Sequence, residues 1–169
     1  MLGICRIALL GSLSCNPLYP NHRLDKAMTS TLAILLRIAG AMLLVLAALH
    51  EPICRRLKWR EEAVLLSPVN AAIFHVHALF IGLILFLMGL PCLADPRVFL
   101  EKSRGGAWLA WMFGAFWTTR LYAQWFVFPQ GLWRGKETET RIHFVFTSLW
   151  LFLASLFIVC GARQAGWLQ

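Results

Sequence analysis

The sequence predicts an all-α protein, an up-down-up-down four-helix transmembrane bundle. Four apolar runs, at about 31–49, 69–94, 106–128 and 142–162, are each close to twenty residues long. At about 1.5 Å per residue, each is long enough to cross a hydrocarbon core of about 30 Å. Hydrophobic residues make up 59% of the chain and charged residues 14%, against about 25% charged in soluble domains. The charges fall in three short segments between the runs, and short connections make consecutive helices antiparallel neighbours. The 169 residues suffice for one such unit and no separate soluble domain.

The chain divides into an N-terminal extension, residues 1–27, and a membrane domain, 28–169. Met1 to Leu13 is apolar but is interrupted by Arg6 and has no basic stretch before it, which makes a poor signal peptide. The extension reads as loose chain, or as the product of an upstream start codon with Met28 the true start. The first helix is expected over about 30–49, with Pro52 marking its exit because proline cannot continue a helix without losing a hydrogen bond. Ile53 to Ser67 mixes Arg55, Arg56, Lys58, Arg60, Glu61 and Glu62 with Leu57, Trp59, Val64 and Leu65, as in a short interfacial helix. Ser67-Pro68 opens the second helix, 69–94, with proline at its first position. A charged turn (Arg97, Glu101, Lys102, Arg104) leads to Gly105-Gly106 and the third helix, 106–128. The fourth, 142–162, follows a loop containing Gly131 and Gly135.

The net charge of +8 belongs to segments flanking the apolar runs, where basic residues meet lipid head groups and set orientation. No nucleic-acid motif accompanies it. Side A holds the N-terminus and side B the segments 51–68 and 129–141. Lys and Arg number seven on each side, so the positive-inside rule decides nothing for the full chain; without residues 1–27 the excess lies on side B, which favours a cytoplasmic side B. The five cysteines (Cys5, Cys15, Cys54, Cys92, Cys160) lack metal-ligand spacing. Cys92 and Cys160 both fall near side A, as small buried apolar residues or as a pair if that side is oxidising. Trp108 and Trp111 near side A, with Trp59, Trp125 and Trp133 near side B, suit interfacial belts; Trp117 and Trp150 lie deeper and are expected to pack between helices.

Tracing depth along the helices gathers polar residues into the side-B leaflet. Asn70, His75 and His77 lie in the first turns of the second helix, Arg120 and Gln124 in the last turns of the third, and His143 and Thr147 at the start of the fourth. His77 and Arg120 are each about 12 Å deep by helical rise. The candidate ligand-binding set is therefore His75, His77, Arg120, Gln124, His143 and Asn70, with His50 at the adjoining end of the first helix. Arg120 and Gln124, four apart, share a face, as do His143 and Thr147. His75 and His77 are about 200° apart around a helix and do not ligate one metal together. His75 shares a small-residue stripe with Ala71, Ala78, Gly82 and Gly89, which is expected to face a neighbouring helix. Arg37, with Gly40, Ala41 and Leu44, is expected to point inward. None of the four expected helices contains Asp or Glu, so Arg37 and Arg120 lack an acid partner at depth. Arg120 either extends towards head groups or joins Gln124 and a histidine in a pocket for a lipid phosphate, a quinone oxygen or a haem propionate.

Haem needs a histidine from each of two facing helices, His75 or His77 with His143 or His50; a di-iron carboxylate site is excluded by the missing acids. No P-loop, dinucleotide fingerprint, Gly-x-Ser-x-Gly or His-Glu-x-x-His is present. Leu35 to Gly40, Trp59-Arg60-Glu61-Glu62, the run Ser67 to His77, and Phe116-Trp117 to Arg120 give the chain a look similar to uncharacterised small four-helix bacterial inner-membrane proteins. That resemblance covers about Leu35 to Cys160 and implies architecture and address, and no activity. The expectation is a non-catalytic, multi-pass protein of the inner (plasma) membrane whose polar cluster binds a lipid or small amphiphile and holds no metal. Its partners are membrane lipids and a homo-oligomer, with no nucleic acid. The alternatives are a membrane redox protein binding haem or quinone and an oligomeric transporter or channel, with Gly40, Gly82 and Gly114 as close-contact points.

Overall fold

The computed structural model describes residues 21–129, 131 and 133–168. The readings made for Met1 to Leu13, Cys5 and Cys15 lie outside them. Among the described residues the chain is all-helical, with six helices and no strand: α1 Asn21–Arg56, α2 Trp59–Ala63, α3 Pro68–Ala94, α4 Arg97–Leu100, α5 Arg104–Phe126 and α6 Glu137–Gln164. Three of them, α1, α3 and α6, are long and apolar enough to cross a membrane. α5 has 23 residues, about 34 Å by rise, but Arg120, Gln124 and two threonines dilute its apolar content. Large apolar side chains such as Val45, Leu79, Phe80 and Val145 are more than half exposed, an outer surface that fits a membrane protein.

The helix starts follow local chemistry. Ser67 caps α3, its Oγ accepting from the Asn70 N–H at 3.4 Å, and Pro68 opens the helix. Ser103 caps α5 in the same way, accepting from the Gly106 N–H at 3.0 Å. α1 departs from expectation twice. It begins at Asn21, so the last residues assigned to the extension are helical, and it runs through Pro52 to Arg56. Pro52 forfeits one intrahelical bond, while Glu51 and Arg55 pair at 2.9 Å across it. The chain turns instead at Lys58, whose φ of 56° is left-handed, and the expected interfacial helix shrinks to α2.

α1 packs against α3, and α5 against α6. Both pairs are antiparallel, as Gly40 against Gly89 with His50 against Gly82, and Gly114 against Ile158 with Gly161 against Trp111, require. α1 and α6 are antiparallel too. On side A, Arg163 of α6 donates to Asp25 Oδ1 at 2.7 Å and to Thr29 Oγ1 at 2.6 Å. α4 fills the same end. Phe99 is fully buried against Phe113 and Phe157, and Gln164 accepts from the Ser103 N–H at 3.1 Å while donating to the Val98 carbonyl at 3.3 Å. Cys92 and Cys160 are buried free thiols.

Two further expectations need correction. Arg37 is exposed and does not point inward; beside α4 its charge helps Arg97, which bonds Asp95 at 2.8 Å, to hold the Asp95 carboxyl below the usual range. Gly40, Gly82 and Gly114 make their close contacts within the chain, each against another of its own helices. A Cβ on Gly40 meets the Leu93 nitrogen at 2.7 Å and the Gly89 oxygen at 2.8 Å, backbone atoms that cannot swing aside. Gly40→Ala is expected to destabilise the protein by about 1–3 kcal/mol, measured by reversible unfolding in mixed micelles. Gly105→Ala, with nothing within 4 Å, is expected to show no loss.

Candidate functional site

The expected polar cluster exists at side B, but packing divides it between the two helix pairs. Arg120, Gln124 and His143 come together between α5 and α6. An Arg120 N–H donates to Gln124 Oε1 at 3.0 Å, and Gln124 Nε2 lies 2.8 Å from His143 Nδ1. Arginine only donates, so Gln124 must present its oxygen to Arg120 and its NH2 to His143. His143 Nδ1 is then the acceptor, and the neutral ring carries its proton on Nε2. The His143 ring stacks on Trp133 at 4.0 Å and 12°, which folds the α5–α6 connection over it.

No carboxylate stands beside Arg120 among the described salt bridges. Its guanidinium instead lies 5.0 Å from the Trp150 ring and 5.4 Å from Phe128, over aromatic faces that attract a cation. Trp117 stacks beneath Trp150 at 5.0 Å, both buried, so the two deeper tryptophans do pack between helices as expected. Thr147 shares the His143 face, with its buried Oγ1 unpartnered. Arg120, Gln124 and His143 thus form one hydrogen-bonded chain, beside which the indole nitrogens of Trp117 and Trp150 are also buried without a partner among the described residues.

His75, His77 and Asn70 stay on the other pair. Asn70 and His77 are exposed; the His77 Nδ1 donates to the Ile73 carbonyl at 2.8 Å, and neither residue reaches Arg120. Depth placed these residues at one level, but it carries no information on where around the fold each helix stands. His75 does face α1, as its small-residue stripe requires. It borders a pocket of about 750 Å³ between α1, α2 and α3, together with His50, Glu51, Trp59, Arg60 and Gly82. Ala47, Ala48, Ala78 and Gly82 leave the space, and the side chains of Leu79 and Leu83, both exposed, form its lateral wall.

Four rings follow one another along this pocket, edge to face: His50 to Trp59 at 6.0 Å, Trp59 to Phe74 at 5.4 Å and Phe74 to His75 at 6.0 Å. His75 Nδ1 lies 2.6 Å from the Ala71 carbonyl, which only accepts, so Nδ1 holds the proton and Nε2 is left with a lone pair. His50 Nε2 is buried without a partner. Glu51 receives Arg55 at 2.9 Å and Arg60 at 3.4 Å, both on Oε1. Sequence reasoning placed His50 at a helix end, where an interfacial histidine needs no function, and left it out of the set. No group of three metal-ligating side chains occurs among the described residues.

The fold thus defines a helical protein with three helices able to cross a membrane and a ring-lined pocket at one end. No family model, curated protein or solved structure matches the chain.

Gln124→Leu removes the acceptor of Arg120 and the donor to His143 together, and is expected to cost about 1–3 kcal/mol of stability by unfolding in micelles. In the unaltered protein, side-chain ¹⁵N spectra are expected to show the His143 proton on Nε2, and the His75 proton on Nδ1.

Proposed function

We propose that the chain is a non-catalytic, multi-pass protein of the bacterial inner (plasma) membrane. In this reading α5 is a fourth crossing helix, and the whole is an up-down-up-down bundle. Its pocket between α1 and α3 holds the head group of a lipid or small amphiphile. The observation that supports this most directly is the pocket itself: about 750 Å³, polar at the end holding His50, Glu51, Arg60 and His75, and walled by exposed Leu79 and Leu83. An amphiphile matches that gradient, head among the polar groups and tail along the apolar wall. The antiparallel order of α1, α3, α5 and α6 supports the crossing pattern, and the inner-membrane address rests on the sequence resemblance. Arg120, Gln124 and His143 take no ligand here; they tie α5 to α6.

The expected measurement is native mass spectrometry of protein purified in mild detergent. The unaltered chain is expected to carry one bound amphiphile. Ala78→Phe, which fills the pocket, is expected to lose it, and Arg120→Leu to keep it. Equal retention by all three forms sinks the assignment.

One observation favours a second reading. His50 and His75 stand on two facing helices around one pocket, and the carbonyl bond at His75 Nδ1 leaves Nε2 free, as in many ligating histidines. These residues suit axial ligation of a b-type haem. A Soret band in protein expressed with ample haem, abolished by His75→Phe, supports that reading; no band removes it.

A further inference from the structure

We infer that the head group taken by the α1–α3 pocket is a primary ammonium joined to a phosphate, as in an ethanolamine phospholipid. This rests on the amphiphile reading above and narrows it to one class.

The argument runs through donors and acceptors. In the neutral ring His75 Nε2 is an acceptor, because Nδ1 donates its proton to the Ala71 carbonyl 2.6 Å away. Glu51 keeps Oε2 free of the two arginine bonds, both of which end on Oε1. Trp59 and Phe74 border the same space, and aromatic rings attract cations. Two acceptors and two aromatic rings around one space call for a compact cation bearing several N–H donors. A primary ammonium has three donors, whereas a quaternary ammonium has none and leaves both acceptors unsatisfied.

The second half of the head group follows from Arg60. It borders the same pocket, and its side chain is 71% exposed. One N–H reaches Glu51, which leaves the outer edge of the guanidinium for a phosphate, the partner its geometry suits. Cation inside and anion at the rim is the polarity of a zwitterionic head group. A phosphatidylglycerol head group offers hydroxyl donors but no cation for the aromatic rings, and sets its negative charge against Glu51. The apolar wall of Leu79 and Leu83 supplies the path for acyl chains, which a soluble amine does not need.

The test is native mass spectrometry of the full chain exchanged into micelles holding equal amounts of phosphatidylethanolamine, phosphatidylcholine and phosphatidylglycerol. The expected result is a bound lipid enriched at least fivefold in phosphatidylethanolamine. Glu51→Gln and His75→Phe, tested separately, are each expected to abolish the enrichment while leaving total lipid retention in place. Retention of lipid without preference, or preference for phosphatidylglycerol or phosphatidylcholine, overturns the head-group assignment and leaves the amphiphile reading standing. Loss of all pocket-dependent lipid overturns both. Enrichment that survives both substitutions places recognition elsewhere and also overturns the assignment. Free ethanolamine is expected not to strip the adduct; stripping by it assigns the site to soluble amines instead.

Discussion

Hydrocarbon offers no hydrogen-bond partner, so every polar side chain at depth must be satisfied by its own helix or by the one it touches. In the membrane setting proposed here, that constraint accounts for polar contacts made partway along the long helices. Thr118 and Thr119 donate back to the carbonyls of Gly114 and Ala115, and His75 and His77 do the same to Ala71 and Ile73. Arg120 is the hard case, a charge with no acid beside it. Its solution combines one amide oxygen with two aromatic faces, and the amide in turn is fixed by His143. A single carboxylate at that position would serve the charge more directly, but its own desolvation would then have to be met.

The two helix pairs are held together chiefly at side A. There Arg163 reaches across to Asp25 and Thr29, Gln164 grips the backbone at Val98 and Ser103, and Phe99 fills the space between the pairs. All of these sit at one end of the helices. At the other end, α1 and α6 leave an apolar cleft between Met42 and Phe144, and α1 and α3 leave the ring-lined pocket. Firm closure at one end therefore coexists with space at the other. The small residues that bring α1 and α3 into backbone contact at Gly40 and Gly89 give way, nearer side B, to Ala47, Ala48 and Ala78, whose missing bulk nothing else fills.

The long helices were legible because hydropathy and caps are local properties. The Ser67-Pro68 start and the depth of Trp117 and Trp150 follow from residues within a turn or two. The pairing of helices was not legible. Depth ordered Arg120, His75 and His143 vertically but left their azimuth open, and two sites were read as one. Strong local signals hid several tertiary contacts. Pro52 read as a terminator, which left His50 and Glu51 at a helix end. The charged turn hid Phe99, a core residue in a four-residue helix. Asp25 fell in a segment set aside as an extension, so the partner of Arg163 went unseen. In each case a tertiary contact outweighed a sound local rule.

What separates the two polar groups at side B is that one borders a pocket of about 750 Å³ and the other is a hydrogen-bonded chain packed among aromatic rings. Between α5 and α6 the chain of donors runs from Arg120 through Gln124 to His143, and the last ring is covered by Trp133. Between α1 and α3, among the described residues, Glu51 Oε2 and the Nε2 of a neutral His75 receive no donor, and His50 Nε2 is buried without a partner. Of these only the His50 Nε2 is buried, and it costs stability unless something in the space beside it supplies a partner; His75 and Glu51 are exposed and open to a ligand. The proposed binding at the first helix pair rests on that opening, although the stronger charge and the more conspicuous sequence pattern lie on the second.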